Sequence, residues 1–327
     1  MIELINERIC FRFPDIHPQA ECHILLQRSF RLGEAGNPIL GPGCGGYWPD
    51  PIDEYAGQLP LAWRRQGGML LPMYQSEALW LRFFGDYPCA IKVAVGPTNG
   101  LTGKGWHPPL ALRPQDYLVT PEQPWLLGYF EEPGRLRQFA PAPLTASASQ
   151  AQPPLDEAAV TMEVVVFPLK AEAYREWQEM ESHHYFADAD TCNCLGSACS
   201  LEKDQDRNPA GRMQLEIPDD GYGWENWDQS RAQGCFIYLV NSRQYQLITG
   251  REPAQIPLTE EDYLAARMTW SQVYAEAPLP GGNLPAEAVP SRGLTPAGAR
   301  SRTARTPPTS QARGRFGRVR QVREADG

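Results

Sequence analysis

The chain lacks the features that would identify an enzyme or a membrane protein directly. Its longest uninterrupted apolar runs, such as Cys235–Val240, fall far short of the roughly 20 residues that a membrane-spanning helix needs. It contains no Gly-x-Ser-x-Gly turn, no glycine-rich phosphate loop ending in Lys-Ser or Lys-Thr, and no dinucleotide-binding fingerprint. The five histidines occur in no recognisable triad motif. The sequence therefore leaves open whether the protein is an enzyme.

The amino-terminal sequence also lacks the pattern of a secretory signal. MIELINERICFRF carries charges near its start and has no long apolar segment, so we expect no signal peptide. Without such a signal, the eight cysteines are better explained as free thiols or metal ligands than as a disulfide framework. These observations predict a soluble, cytoplasmic protein.

Basic residues are scarce in most of the chain and concentrated at its end. The net charge is −9, yet the segment from Gly281 onward holds nine arginines, no lysine and three acidic residues. The rest of the chain therefore carries a charge of −15. Phosphate binding needs a positive surface, which excludes nucleic acid as a ligand of the acidic body. The arginine-rich tail could contact an acidic partner, although a solvated extension without a dedicated partner is favoured.

Proline and glycine are abundant and favour turns over long helices. The chain has 32 prolines and 29 glycines, and its apolar fraction of 42% is enough to build a core. Strand-like runs recur between these turn residues. We predict an α+β fold made mainly of antiparallel β-sheet, with two or so short helices and a disordered C-terminal tail.

Several segments have the pattern of strands. The alternation over residues 91–95 predicts a half-buried strand, and the following Asn99-Gly100 pair predicts a tight hairpin turn. Cys235–Val240 is a continuous apolar run, which predicts a central strand covered on both faces. The alternation in Arg212–Ile217 predicts a further strand. Additional strands are predicted at Glu21–Leu32, Tyr117–Thr120, Leu136–Ala140 and Met162–Phe167.

Two helices are predicted in the second half of the chain. Lys170–His184 is the first. Its expected packing face consists of Ala173, Tyr174, Trp177 and Met180. The second begins at Thr259, whose hydroxyl can cap the first turn, and acidic residues follow at the positive end of the helix dipole. We expect Leu264 and Met268 to attach this helix to the body.

Composition divides the chain into four parts. Residues 1–140 form a β-rich N-terminal part, and residues 158–278 form an α+β C-terminal part that could share one domain with it. Residues 141–157, rich in Ala, Ser, Gln and Pro, are predicted to form a linker or long loop. Residues 279–327 have almost nothing to bury and are predicted to form a disordered basic tail.

Six phrases in fixed order carry a family resemblance. They are LLQRSFRL, GGMLLPMYQSEALWLRF, PCAIKVAVGPTNGLTG, QDYLVTPEQPWL, GRMQLEIPDDGYGWENWD and CFIYLVNSRQYQLITGREP. Together they resemble an uncharacterised family of bacterial and fungal proteins, whose members are often labelled integral membrane proteins by automatic transfer. The resemblance spans roughly residues 24–275 and implies a shared fold but no established activity. The absence of a spanning segment conflicts with the label, and the Ala/Ser/Gln linker and the cysteine-bearing insert before Gly211 depart from the family pattern.

Polar residues in the block from residue 69 to 139 form the first candidate site. They are Glu77, Lys92, Asn99, Gln115, Asp116, Gln123, Trp125, Arg137 and Gln138. On adjacent strands these groups could line one pocket, with Trp125 as its apolar wall. A solvated sheet face, whose amides satisfy irregular backbone near Pro and Gly, is the favoured alternative. Glu77 and Asp116 would be the acid–base pair of an enzyme, but nothing in the sequence brings them together.

A second candidate is a metal site in the phrase HHYFADADTCNCLGSAC. Cys192, Cys194 and Cys199 could supply three sulfur ligands to zinc, with His183 or His184 as the fourth ligand. Zinc sites usually contain a pair of Cys-x(2–4)-Cys units, and this phrase contains only one. The pattern therefore favours an insert with incidental thiols over a zinc site, and it leaves a redox pair as a third alternative. Zinc is the only cofactor that the sequence suggests.

The third candidate is the acidic and aromatic segment Asp219–Asp228. Its carboxylates could bind a hard cation, but their spacing lacks the alternating ligand positions of a calcium loop. Its aromatic rings could stack on a sugar or cover the edge of the core, and core cover is favoured.

The function that these patterns favour is non-catalytic binding of a ligand or another protein through the 69–139 strand block. The alternative is a metal-assisted hydrolase or transferase with its site on that block or at the Cys192, Cys194 and Cys199 cluster.

Overall fold

Two β-sheets form the framework of the protein in the computed structural model, which describes residues 1–32, 43–144, 159–187 and 215–271 together with Tyr274. The strands are, in chain order, β1 (Ile2–Ile5), β2 (Arg8–Arg12), β3 (Glu21–Phe30), β4 (Asp50–Pro51), β5 (Met69–Met73), β6 (Glu77–Phe84), β7 (Cys89–Val95), β8 (Thr98–Asn99), β9 (Leu118–Thr120), β10 (Trp125–Leu126), β11 (Tyr129–Glu132), β12 (Arg135–Arg137), β13 (Val160–Pro168) and β14 (Gln233–Asn241). The α-helices are α1 (Leu61–Gln66), α2 (Ala171–Ala187), α3 (Ser242–Thr249) and α4 (Glu260–Ala265).

The strands assemble into a five-stranded sheet in the order β1-β2-β3-β6-β10 and a seven-stranded sheet. The path through the larger sheet is β4-β5-β14-β13-β7-β8, and β9 also pairs with β7. All pairs are antiparallel except β14 with β5. β11 and β12 form a separate hairpin. The predicted α+β fold with mainly antiparallel sheet is therefore confirmed, with four α-helices in the described part of the chain where two or so were expected.

The seven-stranded sheet is the middle layer of the molecule. On one face of β14, Ile237 and Leu239 belong to the main core, which the five-stranded sheet covers from the other side. On the opposite face, Tyr238 and Val240 belong to a second core. Elements α1 and α3 and the 3₁₀ helix Ile52–Gln58 contribute side chains to that second core. The central strand predicted at Cys235–Val240 is confirmed, because a strand with helices on one side and a sheet on the other needs apolar residues at every position.

The prediction of a half-buried strand over residues 91–95 is wrong, because every residue of β7 is buried. Ile91 and Val93 face the main core as expected. Lys92, on the other face, is fully buried as well. Its ammonium donates to the carbonyls of His107 (2.7 Å) and Pro109 (2.5 Å), so the loop after β8 folds back over this face of the sheet.

The predicted Asn99-Gly100 turn is also wrong by a few residues. The hairpin reverses at Gly96-Pro97, because Val95 pairs with Thr98 and Ala94 with Asn99. Gly96 has φ +57°, a conformation that glycine adopts without steric cost. The Asn99 side chain instead accepts hydrogen bonds from the backbone N–H groups of the residues after Gly100, which draws it into the loop.

Both predicted helices are present, with corrections to their packing. In α2, Tyr174 is buried, whereas Met180 is 61% exposed. Helix α4 begins with Thr259, which accepts from the backbone N–H of Asp262 while the carboxylate of Asp262 accepts from Thr259 N. Leu264 does not attach the helix, because its side chain is 67% exposed.

Tyr263 takes the anchoring role that was predicted for Leu264. It is fully buried, and its hydroxyl accepts from the backbone N–H of Arg31 at 2.9 Å. Met268 packs against the same small cluster as predicted. Helix periodicity is satisfied by either neighbour, and only the position of the preceding loop selects Tyr263.

Some predictions fall outside the described residues. Within Arg212–Ile217, residues 212–214 lie outside, and Leu215–Ile217 form no strand, so the prediction is wrong over those three. Residues 145–157 of the predicted linker and everything after Tyr274 also lie outside. No helix in the described part of the chain is long and apolar enough to cross a membrane.

Gly68 is required where β5 meets β14. Its φ is +113°, and a Cβ placed there would lie 2.3 Å from the backbone oxygen of Phe236. We expect Gly68→Ala to lower the free energy of unfolding by about 1–3 kcal/mol, since both the backbone and the strand contact are strained. Urea denaturation measures the effect. Gly57→Ala is the matched control, because nothing lies within 4 Å of its Cβ position; equal losses in the two variants would contradict the prediction.

Candidate functional site

A cleft of about 180 Å³ opens beside the end of β9, where three segments of the chain meet. Glu122 follows β9, Trp177 projects from α2, and Asp219 and Tyr222 come from the loop before the 3₁₀ helix Trp224–Asn226. Val119 forms the buried floor. We call this the aromatic–acidic cleft, after the two rings and two carboxylates that line it.

Asp220 holds the loop that forms one wall of the cleft. Its Oδ2 accepts from the hydroxyl of Tyr117 at 2.6 Å and from the indole N–H of Trp227 at 2.8 Å. Its Oδ1 accepts from the backbone N–H groups of Tyr222 and Gly223 at 2.9 and 3.3 Å. One carboxylate thus ties the loop to β9 and to a core tryptophan, which preorganises the wall.

Tyr117 and Gln115 reinforce this attachment from the strand side. Burial raises the pKa of Tyr117, and the hydrogen bond to Asp220 raises it further, so the phenol stays a donor at neutral pH. The Gln115 side chain donates to the carbonyl of Pro218 (3.1 Å) and accepts from Asp220 N (3.0 Å). Gln115 is the one residue of the predicted polar set with hydrogen bonds to the cleft wall among the described contacts.

The aromatic walls of the cleft are continuous with the core. The rings of Trp177 and Tyr222 lie 5.9 Å apart between centroids and are tilted by 45°. Trp177 stacks on buried Tyr174 at 6.0 Å, and Tyr222 contacts buried Trp227 edge-on at 5.5 Å. We predicted that the aromatic rings of the Asp219–Asp228 segment cover the edge of the core. Trp227 has this role, since it is only 2% exposed. Tyr222 is half-buried and faces the cleft.

The carboxylates of the cleft are exposed. Tyr222 donates its hydroxyl proton to Glu122 Oε1 at 2.5 Å, which orients that carboxylate across the opening. Within the residues that the structure describes, neither Glu122 nor Asp219 forms an ion pair with a basic side chain. Rings and carboxylates at one opening are the chemistry that binds organic cations.

None of the predicted polar residues lines this cleft, and within the part of the chain that the structure describes they fall into separate groups. Lys92, Asn99 and Asp116 do lie together: Lys92 Nζ is 2.7 Å from Asp116 Oδ2, and Asn99 donates to the Asp116 carbonyl at 2.9 Å. Burial lowers the pKa of Lys92, while Asp116 acts in the opposite direction. With the carbonyls of the covering loop, the buried ammonium of Lys92 is directed at three protein oxygens.

Glu77 lies apart from these residues, on β6 of the five-stranded sheet. Its carboxylate accepts from the guanidinium of Arg28 and from the hydroxyl of Tyr47 (3.0 Å). Burial raises the pKa of Glu77, against the opposing effect of Arg28. Glu77 is thus on a strand of the five-stranded sheet, whereas Asp116 is in the loop before β9, and each has its own cation, which does not favour the predicted acid–base pair.

The remaining members of the set make local contacts. Gln123 donates to the carbonyl of Trp125 at 3.3 Å, and Trp125 lies half-buried on the edge strand β10. Arg137 donates to Glu131 at 3.1 Å within the β11–β12 hairpin. Gln138 bridges to the end of β3, where it accepts from Leu32 N at 2.8 Å. The amides of Gln123 and Gln138 thus bind backbone groups of irregular segments, which is the structural role favoured for them from the sequence.

The predicted metal ligands Cys192, Cys194 and Cys199 lie outside the described residues, as do the side chains of His183 and His184. Elsewhere in the described part of the chain, no group of three or more His, Cys, Asp or Glu side chains is arranged to hold a metal ion. Zinc at the cysteine cluster therefore stays a prediction.

Sequence reasoning missed Glu122, and it gave Trp177 a packing role that is confirmed but incomplete, because Trp177 both packs against the main core and lines the cleft. Trp177 was assigned only to the packing face of a helix, and Glu122 was passed over inside the PEQP segment. The signal was present in that segment: Pro121 and Pro124 keep it out of the sheet ladder, so a charged residue between them must project from the strand end. Which surface it meets depends on α2, far away in sequence.

The chain matches no protein-family model, no curated protein and no solved structure.

Proposed function

We propose that the protein is a non-catalytic binding protein whose aromatic–acidic cleft holds an ammonium or guanidinium group. The observation that carries this proposal is the meeting of Trp177 and Tyr222 with Glu122 and Asp219 at one opening. A cation on the face of an indole or phenol ring is attracted by the ring quadrupole, by about 0.5–2 kcal/mol. The carboxylates of Glu122 and Asp219 attract the same cation.

The size of the cleft limits what it can hold. At about 180 Å³ it is smaller than the roughly 300–1,000 Å³ of sites that enclose a whole small-molecule ligand. It matches the charged end of a longer group, such as an arginine or methylated lysine side chain on a partner. The acidic character of the chain before residue 281 adds long-range attraction for such a cationic partner.

The support for this function lies in the preorganised loop. The hydrogen bonds of Asp220 and Gln115 hold the wall of the cleft in place. The opening itself is lined by the exposed carboxylates and the two rings. A metal-assisted hydrolase or transferase has no such support among the described residues, where the buried Lys92 and Asp116 are directed at each other and at the loop that covers them. That alternative, the cytoplasmic location and the family resemblance stay predictions.

The test is isothermal titration with three capped amino acids: N-acetyl-arginine amide, N-acetyl-trimethyllysine amide and the uncharged N-acetyl-norleucine amide. We expect saturable millimolar binding of one or both cations and no binding of norleucine. Trp177→Ala should weaken cation binding by about three- to thirtyfold, because the ring face is lost. Glu122→Gln should weaken it less and should reduce its salt dependence.

Matched controls lie away from the cleft. Trp48→Ala removes a tryptophan that is 55% exposed, and Glu54→Gln removes an exposed carboxylate. Both variants should bind the cations as the unmodified protein does. Equal binding of norleucine and the cations, or unchanged affinity in Trp177→Ala, would refute the proposed function.

A further inference from the structure

The outer face of the five-stranded sheet carries a row of hydrogen-bonded reactive groups, far from the aromatic–acidic cleft in sequence. Cys10 on β2 lies directly opposite His23 on β3, with 2.9 Å between Cys10 Sγ and His23 Nδ1. The other ring nitrogen, Nε2, is 3.0 Å from Glu21 Oε1. Glu21 precedes His23 by two residues on the same strand and therefore faces the same side. A nucleophile, a base and an orienting carboxylate thus stand in line.

The hydrogen bonds determine where the protons are. The bond from His23, aided by Arg12, lowers the pKa of Glu21, so Glu21 is an acceptor at neutral pH. Glu21 accepts a hydrogen bond from His23 Nε2, and in the neutral ring that has this tautomer Nδ1 is the acceptor that lies 2.9 Å from Cys10 Sγ. The thiol also lies 3.6 Å from the carbonyl of Arg8. Burial raises the pKa of Cys10 to about 11, so the sulfur is protonated at rest. A nucleophile in that state needs a base that removes its proton during attack, and His23 occupies that position.

Cys10 is flanked by long side chains on its own face of the sheet. Cys10 is only 1% exposed, and strand alternation places Arg8 and Arg12 on either side of it on the same face. Arg12 is held between Glu3 (3.1 Å) and Glu21 (3.3 Å). Arg8 is exposed and reaches towards β6. Attack on the sulfur therefore requires these side chains to rotate away from it, a motion that exposed side chains make on the picosecond-to-nanosecond timescale.

Two guanidinium groups give this face a preference for anions. Arg8 lies 4.5 Å from the ring centroid of Phe84, and Arg82 lies 4.7 Å from it. Phe84 pairs with His23 across the β3–β6 ladder, so both cations flank the residue beside the base on this face of the sheet. Neither arginine forms an ion pair with the acidic side chains that the structure describes. Both are therefore available to a ligand carboxylate.

We propose that Cys10 is a thiol–disulfide exchange site for a low-molecular-weight disulfide that carries carboxylates. Cys10 Sγ attacks one sulfur of the disulfide while its proton passes to His23 Nδ1. The disulfide bond breaks, and its electron pair leaves with the second sulfur. That thiolate then takes the proton from His23, so the products are a mixed disulfide on Cys10 and one free thiol. The incoming disulfide is the oxidant, and no other reagent is consumed.

The experiment incubates the reduced full-length chain with oxidised glutathione and follows each cysteine by peptide mass spectrometry over time. We expect a mixed disulfide on Cys10. His23→Asn, whose amide can accept a hydrogen bond but cannot take the proton, should slow modification of Cys10 by about ten- to a hundredfold. Cys44, which is half-buried and lies on a different segment from Cys10 and His23, should react at the same rate in both proteins.

A second disulfide reagent distinguishes the contribution of the two arginines to the modification rate from that of His23. The double variant Arg8→Gln/Arg82→Gln should slow modification by oxidised glutathione but not by the uncharged hydroxyethyl disulfide. His23→Asn should slow both reagents. If His23→Asn does not give a native near-ultraviolet circular dichroism spectrum, Glu21→Gln, which leaves the thiol–imidazole contact in place, serves the same test with a smaller expected loss.

Three results would overturn the proposal. One is a Cys10 that stays unmodified while Cys44 reacts, and the second is modification of Cys10 only after denaturation. The third is that Cys10 is modified at the same rate in the protein without substitutions and in the folded variant. Neither binding of cations at the cleft nor its loss bears on these outcomes.

Discussion

Asp220→Ala is expected to lower the free energy of unfolding by about 3–5 kcal/mol and to remove cation binding at the cleft. Asp220 accepts four hydrogen bonds, two of them from the side chains of Tyr117 and Trp227. Both of those residues are buried, so each donor would be left without an acceptor, at a cost of about 1–3 kcal/mol each. The loop would also lose the two backbone contacts that shape it.

Chemical denaturation measures the stability change, and titration with N-acetyl-arginine amide measures binding. The neighbouring Asp219→Ala is the matched control. Asp219 is exposed, so we expect its removal to change stability by no more than about 0.5 kcal/mol while still weakening cation binding. An Asp220→Ala protein as stable as the unmodified one would show that the loop is held by other contacts.

Lys92→Met is expected to have the second large effect: it should lower the free energy of unfolding by about 3–5 kcal/mol. Lys92 is fully buried and supplies the only basic side chain within 3 Å of Asp116 in the described structure. Methionine keeps most of the volume but leaves the carboxylate of Asp116 buried without its cation. The carbonyls of His107 and Pro109 would lose their donor as well.

A double-mutant cycle checks the cause. Asp116→Asn alone leaves the ammonium buried without a counterion and should also be strongly destabilising. The combined variant Lys92→Met/Asp116→Asn removes both charges, so we expect it to be more stable than the sum of the two single losses predicts. Strict additivity in urea denaturation would contradict an ion-pair explanation and would indicate that packing of the loop dominates.

The candidate sites show why sequence patterns located some chemistry and missed the rest. Gln115 and Asp116 were selected because they are polar residues beside predicted strands. In the structure both hold loops in place. Cys10, His23 and Glu21 were not selected, because they lie on two strands and no short motif contains them. Their contact follows from the β2–β3 register, which pairs Cys10 with His23.

Periodicity and turn chemistry by themselves determined the class of fold, the central strand at residues 235–240, the helix after Lys170 and the cap at Thr259. These features depend on neighbours within a few residues, so local sequence is sufficient to specify them. Tertiary structure decided which face of each element is buried. Lys92 and Tyr263 are buried because distant segments fold over them, and Trp177 meets Glu122 because α2 lies across the end of β9. Such contacts depend on the positions of whole elements, which no local pattern contains.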